Sequence, residues 1–198
     1  MVTFLDILRR SIDRLGYVMS CMAGWLFVAC ACFISFDVIS RKFFGFSSQA
    51  TVEVTGYTLA FGIAWGLTDA LSTRSHIRVD VLVTRLPPAI RAYMHALALV
   101  FLAFLNFFFS WRSWAMVNDA WLFGSRDSSA LRTPLIIPQA LWALGITIFF
   151  LLTVVMLVEV ILLLALGQRG HVDRLLGPRT LDEETTEALE AAGMGRRS

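Results

Sequence analysis

Residues 140–166 form a run dominated by Leu, Ile, Val and Phe that carries a single ionisable side chain, Glu159. Crossing the hydrocarbon of a bilayer takes about 20 mostly apolar residues, so this run is long enough to span. A peptide backbone in lipid finds no water to satisfy its N–H and C=O groups, and such a run therefore forms a helix. Three further runs share its character, at 15–36, 54–71 and 92–114. A transmembrane barrel would instead alternate polar and apolar residues over segments of about ten, and no such alternation spans the chain. The sequence thus predicts an all-α integral membrane protein with four transmembrane helices. Composition agrees. The chain is 57% hydrophobic and only 16% charged, with 16 Phe among 198 residues.

The charges sit between the runs. Arg9, Arg10 and Arg14 precede an apolar stretch of about 22 residues, whereas the core of a cleavable signal peptide has about 7–15. An uncleaved first span is expected. Residues 1–14 then form an N-terminal tail, 15–166 the membrane domain, and 167–198 a polar, partly disordered tail. Within that tail Thr180-Leu-Asp-Glu183 is a capping-box pattern. Of the 17 Lys and Arg residues, twelve lie in the two tails and the second loop, and five in the first and third loops. The positive-inside rule places both termini in the cytoplasm. Trp111, Trp114, Trp121 and Trp142 flank the third loop as an aromatic belt does.

Several chemistries are disfavoured. Cys21, Cys30 and Cys32 all lie in the first run, where thiols behave as small apolar groups, and no Cys/His spacing fits a metal. His76, His95 and His171 make no pair within one span, as a b-type haem would need. No catalytic motif is present. The net charge of +2 is spread over several loops and gives no nucleic-acid footprint. No catalytic residue, metal or cofactor is expected.

The remaining polar and small residues are candidates for assembly. Asp37 and Arg41, four apart at the end of span one, and Glu53 at the start of span two are read as an ion-pair cluster joining two helix ends. Glu159 has three readings: it snorkels, stays protonated, or pairs with a basic group on a partner. Asn106 is assigned to an interhelical hydrogen bond. Gly62-Ile-Ala-Trp65-Gly66 is a GxxxG, which lets a second helix approach closely within this chain or from another. The loop at 115–139 carries Trp121, Phe123, Arg126, Asp127 and Arg132. Between spans two and three lies TRSHIRVDVLVTRLPP, expected as an interfacial segment on the cytoplasmic face. Its arginines suit anionic headgroups. His76, Arg78 and Asp80 are assigned to a structural latch there, in an extended or a helical form.

Three landmarks then align: Glu53 opening span two after the basic pair Arg41 and Lys42, Ser75-His-Ile-Arg-Val-Asp80 after span two, and Thr133-Pro-Leu-Ile-Ile-Pro138-Gln-Ala-Leu-Trp142 leading into span four. In these the chain resembles, over about residues 15–166, the small (Q-type) membrane subunit of a tripartite ATP-independent periplasmic (TRAP) transporter. The resemblance implies a bacterial inner-membrane system in which a periplasmic binding protein delivers a substrate, usually an organic acid. A separate large permease subunit moves it with sodium, and the small subunit supports and anchors the scaffold of the large one. Packing would fall to Gly62, Gly66, Trp65, Pro138 and Trp142. The third loop has two readings, docking of the binding protein through Arg126 and Arg132 or an interfacial segment lying on lipid. Two other readings remain open: a small homo-oligomeric proton-coupled transporter, and a membrane anchor for a redox complex.

Overall fold

The computed structural model describes residues 2–46, 48, 50–73, 87–129, 131–167, 175, 176 and 185. They contain four helices: α1 (Val2–Phe44), α2 (Thr51–Ser72), α3 (Pro88–Leu122) and α4 (Ile136–Ala165). No strand occurs among the described residues, where pairing is limited to an isolated antiparallel bridge between Arg126 and Pro134.

Three of the helices are long and apolar enough to cross a membrane, over Ile7–Phe44, Ile90–Leu122 and Ile136–Ala165. Helix α2 has 22 residues, a length of about 33 Å at 1.5 Å per residue, which matches the hydrocarbon thickness. Its composition keeps it out of that set. Four threonines, Asp69 and Tyr57 interrupt the apolar pattern, and Thr58 and Thr68 are buried against neighbouring helices. Helix α1 begins at Val2 and so runs through the segment expected as an N-terminal tail. Nothing in 2–14 breaks a helix, and Arg9 and Asp13, one turn apart, approach to 3.8 Å. Proline at the first position of α3 suits a helix start, because no intrahelical partner awaits its missing N–H. Gly45 after α1 and Gly167 after α4 have φ of 66° and 73°, the left-handed conformation that stops a helix and that only glycine adopts without strain.

Helix α4 is the hub. It packs against α1, α2 and α3, while α1 also lies along α2. Leu152, Met156 and Val160 on α4 are completely buried. Two small residues set the closest approaches. A Cβ on Gly145 of α4 would lie 2.7 Å from Trp65 Cδ1 and 3.0 Å from the backbone of Ala64 on α2. A Cβ on Gly16 of α1 would lie 2.6 Å from the Thr68 methyl. The Trp65 indole donates to the Leu141 carbonyl at 2.9 Å. Helix α3 is joined to α4 by a polar seam: Asn106 Nδ2 donates to Thr153 Oγ1 at 3.1 Å, and Trp114 Nε1 to Thr147 Oγ1 at 2.8 Å. In lipid such pairs replace contacts that water would otherwise satisfy. Beyond α4, Leu176 is 2% exposed and belongs to the core cluster that includes Leu71, Ala92 and Val160.

Candidate functional site

The helices bring the polar residues together at the two ends of the bundle. The loop end holds the C-termini of α1 and α3 and the N-termini of α2 and α4. The terminal end holds the opposite tips.

At the loop end, Asp37 is 2% exposed. Its Oδ2 accepts from Arg41 Nη2 at 3.0 Å and its Oδ1 from the Ser48 backbone N–H at 2.6 Å. Asp37 thus ties the last turns of α1 to the approach to α2. Glu53 does not enter that ion pair. Buried in the first turn of α2, it faces the connection between α3 and α4 instead. Its Oε2 accepts from the Ser129 hydroxyl. The Tyr57 hydroxyl lies 3.1 Å from Glu53 Oε1 and 2.6 Å from Asp127 Oδ2. A phenol has one hydrogen to donate, and the shorter contact assigns it to Asp127.

The connection is itself ordered by backbone bonds. Asp127 N donates to Thr133 O at 3.0 Å, Leu135 N to Ser125 O at 3.1 Å, and Arg132 N to Ser129 O at 3.2 Å. Arg132 has φ of 48°, an uncommon conformation for a residue with a Cβ. Arg126 and Arg132 are both exposed. None of the ion pairs among the described residues involves either of them. Phe43, Phe44, Trp121 and Phe123 are strongly exposed at the same end, as residues at a membrane–water interface are.

At the terminal end, Arg9 Nη1 meets Glu159 Oε2 at 2.9 Å, joining α1 to α4. Asp13 accepts from the Ser72 hydroxyl at 2.7 Å, joining α1 to α2. Of the three readings of Glu159, pairing with a basic group is the one that fits, but the cation comes from its own chain and not from a partner. The two residues are 150 positions apart, and nothing near either one in sequence signals the pairing.

The remaining predicted residues separate. Gly62 is closed within the chain by the Phe27 ring, 2.6 Å from where its Cβ would be, whereas a Cβ on Gly66 would meet nothing within 4 Å. Trp65 is buried and Trp142 packs on the same cluster, and Pro138 is buried at the start of α4. His76, Arg78 and Asp80 lie outside the described residues. Sequence reasoning missed the roles of Tyr57, Arg9, Gly145 and Gly16. For Tyr57 a signal existed, since it stands one turn after Glu53.

No group of three or more His, Cys, Asp or Glu among the described residues is placed to hold a metal ion. The polar side chains make helix–helix and helix–loop contacts, which defines the class: a helical membrane protein in which Asp37, Glu53 and Glu159 have partners within the chain. Residues 30–166 match the family model of tripartite ATP-independent periplasmic transporters, DctQ component, and the chain belongs to that family. It is a transporter component, a small TRAP permease subunit, and not an enzyme. No curated protein and no solved structure matches the chain.

Proposed function

We propose that this subunit is a non-catalytic scaffold element of a sodium-coupled TRAP transporter in a bacterial inner membrane. It anchors a separate large permease subunit during uptake of an organic acid delivered by a periplasmic binding protein. Helix α2 crosses the membrane with the other three, both termini are cytoplasmic, and the loop end faces the periplasm. The segment with His76, Arg78 and Asp80 serves as a latch on the cytoplasmic face.

The observation that carries this reading is where the ionisable groups go. Asp37, Glu53 and Glu159 each have partners inside the chain. A transport pathway needs polar groups directed into a cavity, with broken helices to line it; here they hold helices and a loop in place. Helix α2 adds support. It lacks the long apolar stretch of the other three helices, yet Val52, Gly56, Leu59, Ala60 and Ile63 are exposed along it. A protein neighbour suits that face better than lipid does, and the open space at Gly66 leaves room for a close helix.

Purification in mild detergent tests the proposal. A many-span membrane protein should co-purify, and uptake should require it together with the binding protein. A homo-oligomer that transports alone would overturn the scaffold reading. Arg126 and Arg132 are assigned to docking of the binding protein, and their reversal to Glu should weaken uptake while leaving subunit assembly intact.

A further inference from the structure

The exposed arginines of the loop end stand on a connection held from below by a membrane helix, and that juxtaposition has a consequence for docking. We infer that Tyr57 and Glu53 are positioning residues: from α2 they brace the α3–α4 connection in the conformation that presents Arg126 and Arg132. The inference rests on the docking role proposed above.

The connection's backbone bonds tie its start to the end of α3, through Ser125 N on Ala120 O at 3.0 Å, and otherwise close the segment from Ser125 to Leu135 upon itself. The side-chain hydrogen bonds from the loop to another element run to α2: Asp127 accepts from Tyr57, and Ser129 donates to Glu53. They hold the loop at two points. Asp127 follows Arg126 directly, and the Arg132 amide donates to the carbonyl of Ser129. Each exposed arginine is thus adjacent or bonded to a residue held by α2. Arg132 also sits in a strained backbone conformation, which persists only where its surroundings over-determine it. The backbone bond from Arg132 to Ser129 and the hydroxyl of Ser129 on Glu53 supply that constraint. A loop held this way loses little conformational freedom when a partner binds, so less of the binding free energy is lost to ordering.

Tyr57→Phe removes one hydroxyl and keeps the ring. The test uses the complex of small and large subunits in proteoliposomes, with the purified binding protein added outside. Trypsin added outside reads loop opening directly, because Arg126 and Arg132 are themselves cleavage sites. Loss of a hydrogen bond to a carboxylate should raise cleavage after these arginines about tenfold. The binding-protein concentration giving half-maximal uptake should rise several-fold, with the rate at saturation unchanged. Ser129→Ala should act in the same direction, and Asn106→Leu, in the seam away from the loop, should leave both readouts unmoved.

Unchanged cleavage in both Tyr57→Phe and Ser129→Ala would overturn the brace. Faster cleavage with an unchanged binding-protein dependence would also overturn the positioning role if Arg126→Glu does shift that dependence. If Arg126→Glu and Arg132→Glu leave the dependence unchanged too, faster cleavage supports the brace, and the docking reading fails in its place.

Discussion

At the terminal end, an arginine from α1 and a glutamate from α4 meet at 2.9 Å. At the loop end, buried Glu53 accepts from a loop hydroxyl, Ser129, and Asp37 from a backbone amide as well as Arg41. Opposite charges that meet directly neutralise each other and hold two helices at a common depth. Hydroxyl and amide donors leave more of the carboxylate charge in place but impose direction, since each donor must point at its acceptor. The first arrangement suits helix tips that need only stay together. The second suits a loop that must keep one shape. The loop end therefore has the more specified geometry, and the terminal end the stronger single contact.

The comparison breaks most readily at Glu159. Glu159→Ala leaves Arg9, with 22% of its side chain exposed, only the longer contact with Asp13 at 3.8 Å. Fully buried pairs lose about 3–5 kcal/mol on such a change and exposed ones about 0–1, so a loss of about 2 kcal/mol is expected. Thermal unfolding in detergent measures it, and the Arg9→Ala/Glu159→Ala double variant should lose less than the two single losses added together. A drop as large for Tyr57→Phe would erase the difference between the ends.

Close to that in size is Gly145→Ala, in the middle of the bundle. The new Cβ would meet the Trp65 ring and the Ala64 backbone, neither of which yields easily, at a cost of about 2 kcal/mol. Gly66→Ala faces open space in the isolated subunit and should be neutral or stabilising by up to about 1 kcal/mol. Its cost should appear only on assembly, as reduced recovery of the large subunit in co-purification. Equal stability of the two variants would remove the claim that α2 and α4 cross at Gly145.

A smaller loss is expected for Asn106→Leu in the α3–α4 seam. Hydrogen bonds between membrane helices contribute about 0.6 kcal/mol on average and rarely more than about 1.7. Because α3 packs chiefly on α4, the loss should show as increased crosslinking freedom of α3 without release of α1 or α2. Smallest in stability is the pair Arg126→Glu and Arg132→Glu. Both side chains are exposed, so unfolding should stay within about 0.5 kcal/mol of the parent protein. Their effect belongs to uptake alone, and a stability change of the size seen for Glu159 would show that they brace the loop end instead of presenting it.

The helices themselves were legible in the sequence, because each apolar run dictates a helix once water is excluded from its backbone. Their ends were less so. The runs mark where side chains suit lipid, whereas α1 continues at both ends through residues whose charges need water and whose backbone still favours helix. Asp37 and Arg41 were legible as a pair because four residues on a helix is a contact distance. Glu53 was not assignable in the same way. Its partner Ser129 lies across two helices, and the sequence alone cannot rank it against the nearer Arg41.

The amino-acid order by itself thus determined that this is a helical membrane protein, where its runs lie and which side chains are too polar to face lipid. Those outcomes depend on local composition and on the cost of an unsatisfied backbone. The tertiary structure alone decided which polar group meets which: Glu159 with Arg9, Glu53 and Tyr57 with the α3–α4 connection, and Asn106 with Thr153. It also decided that Gly62 closes against Phe27 while Gly66 stays open. The physical reason is the same in each case. Burial specifies that a polar or small residue must have a neighbour, but hub packing around α4 sets the rotation and depth of every helix, and these choose the neighbour.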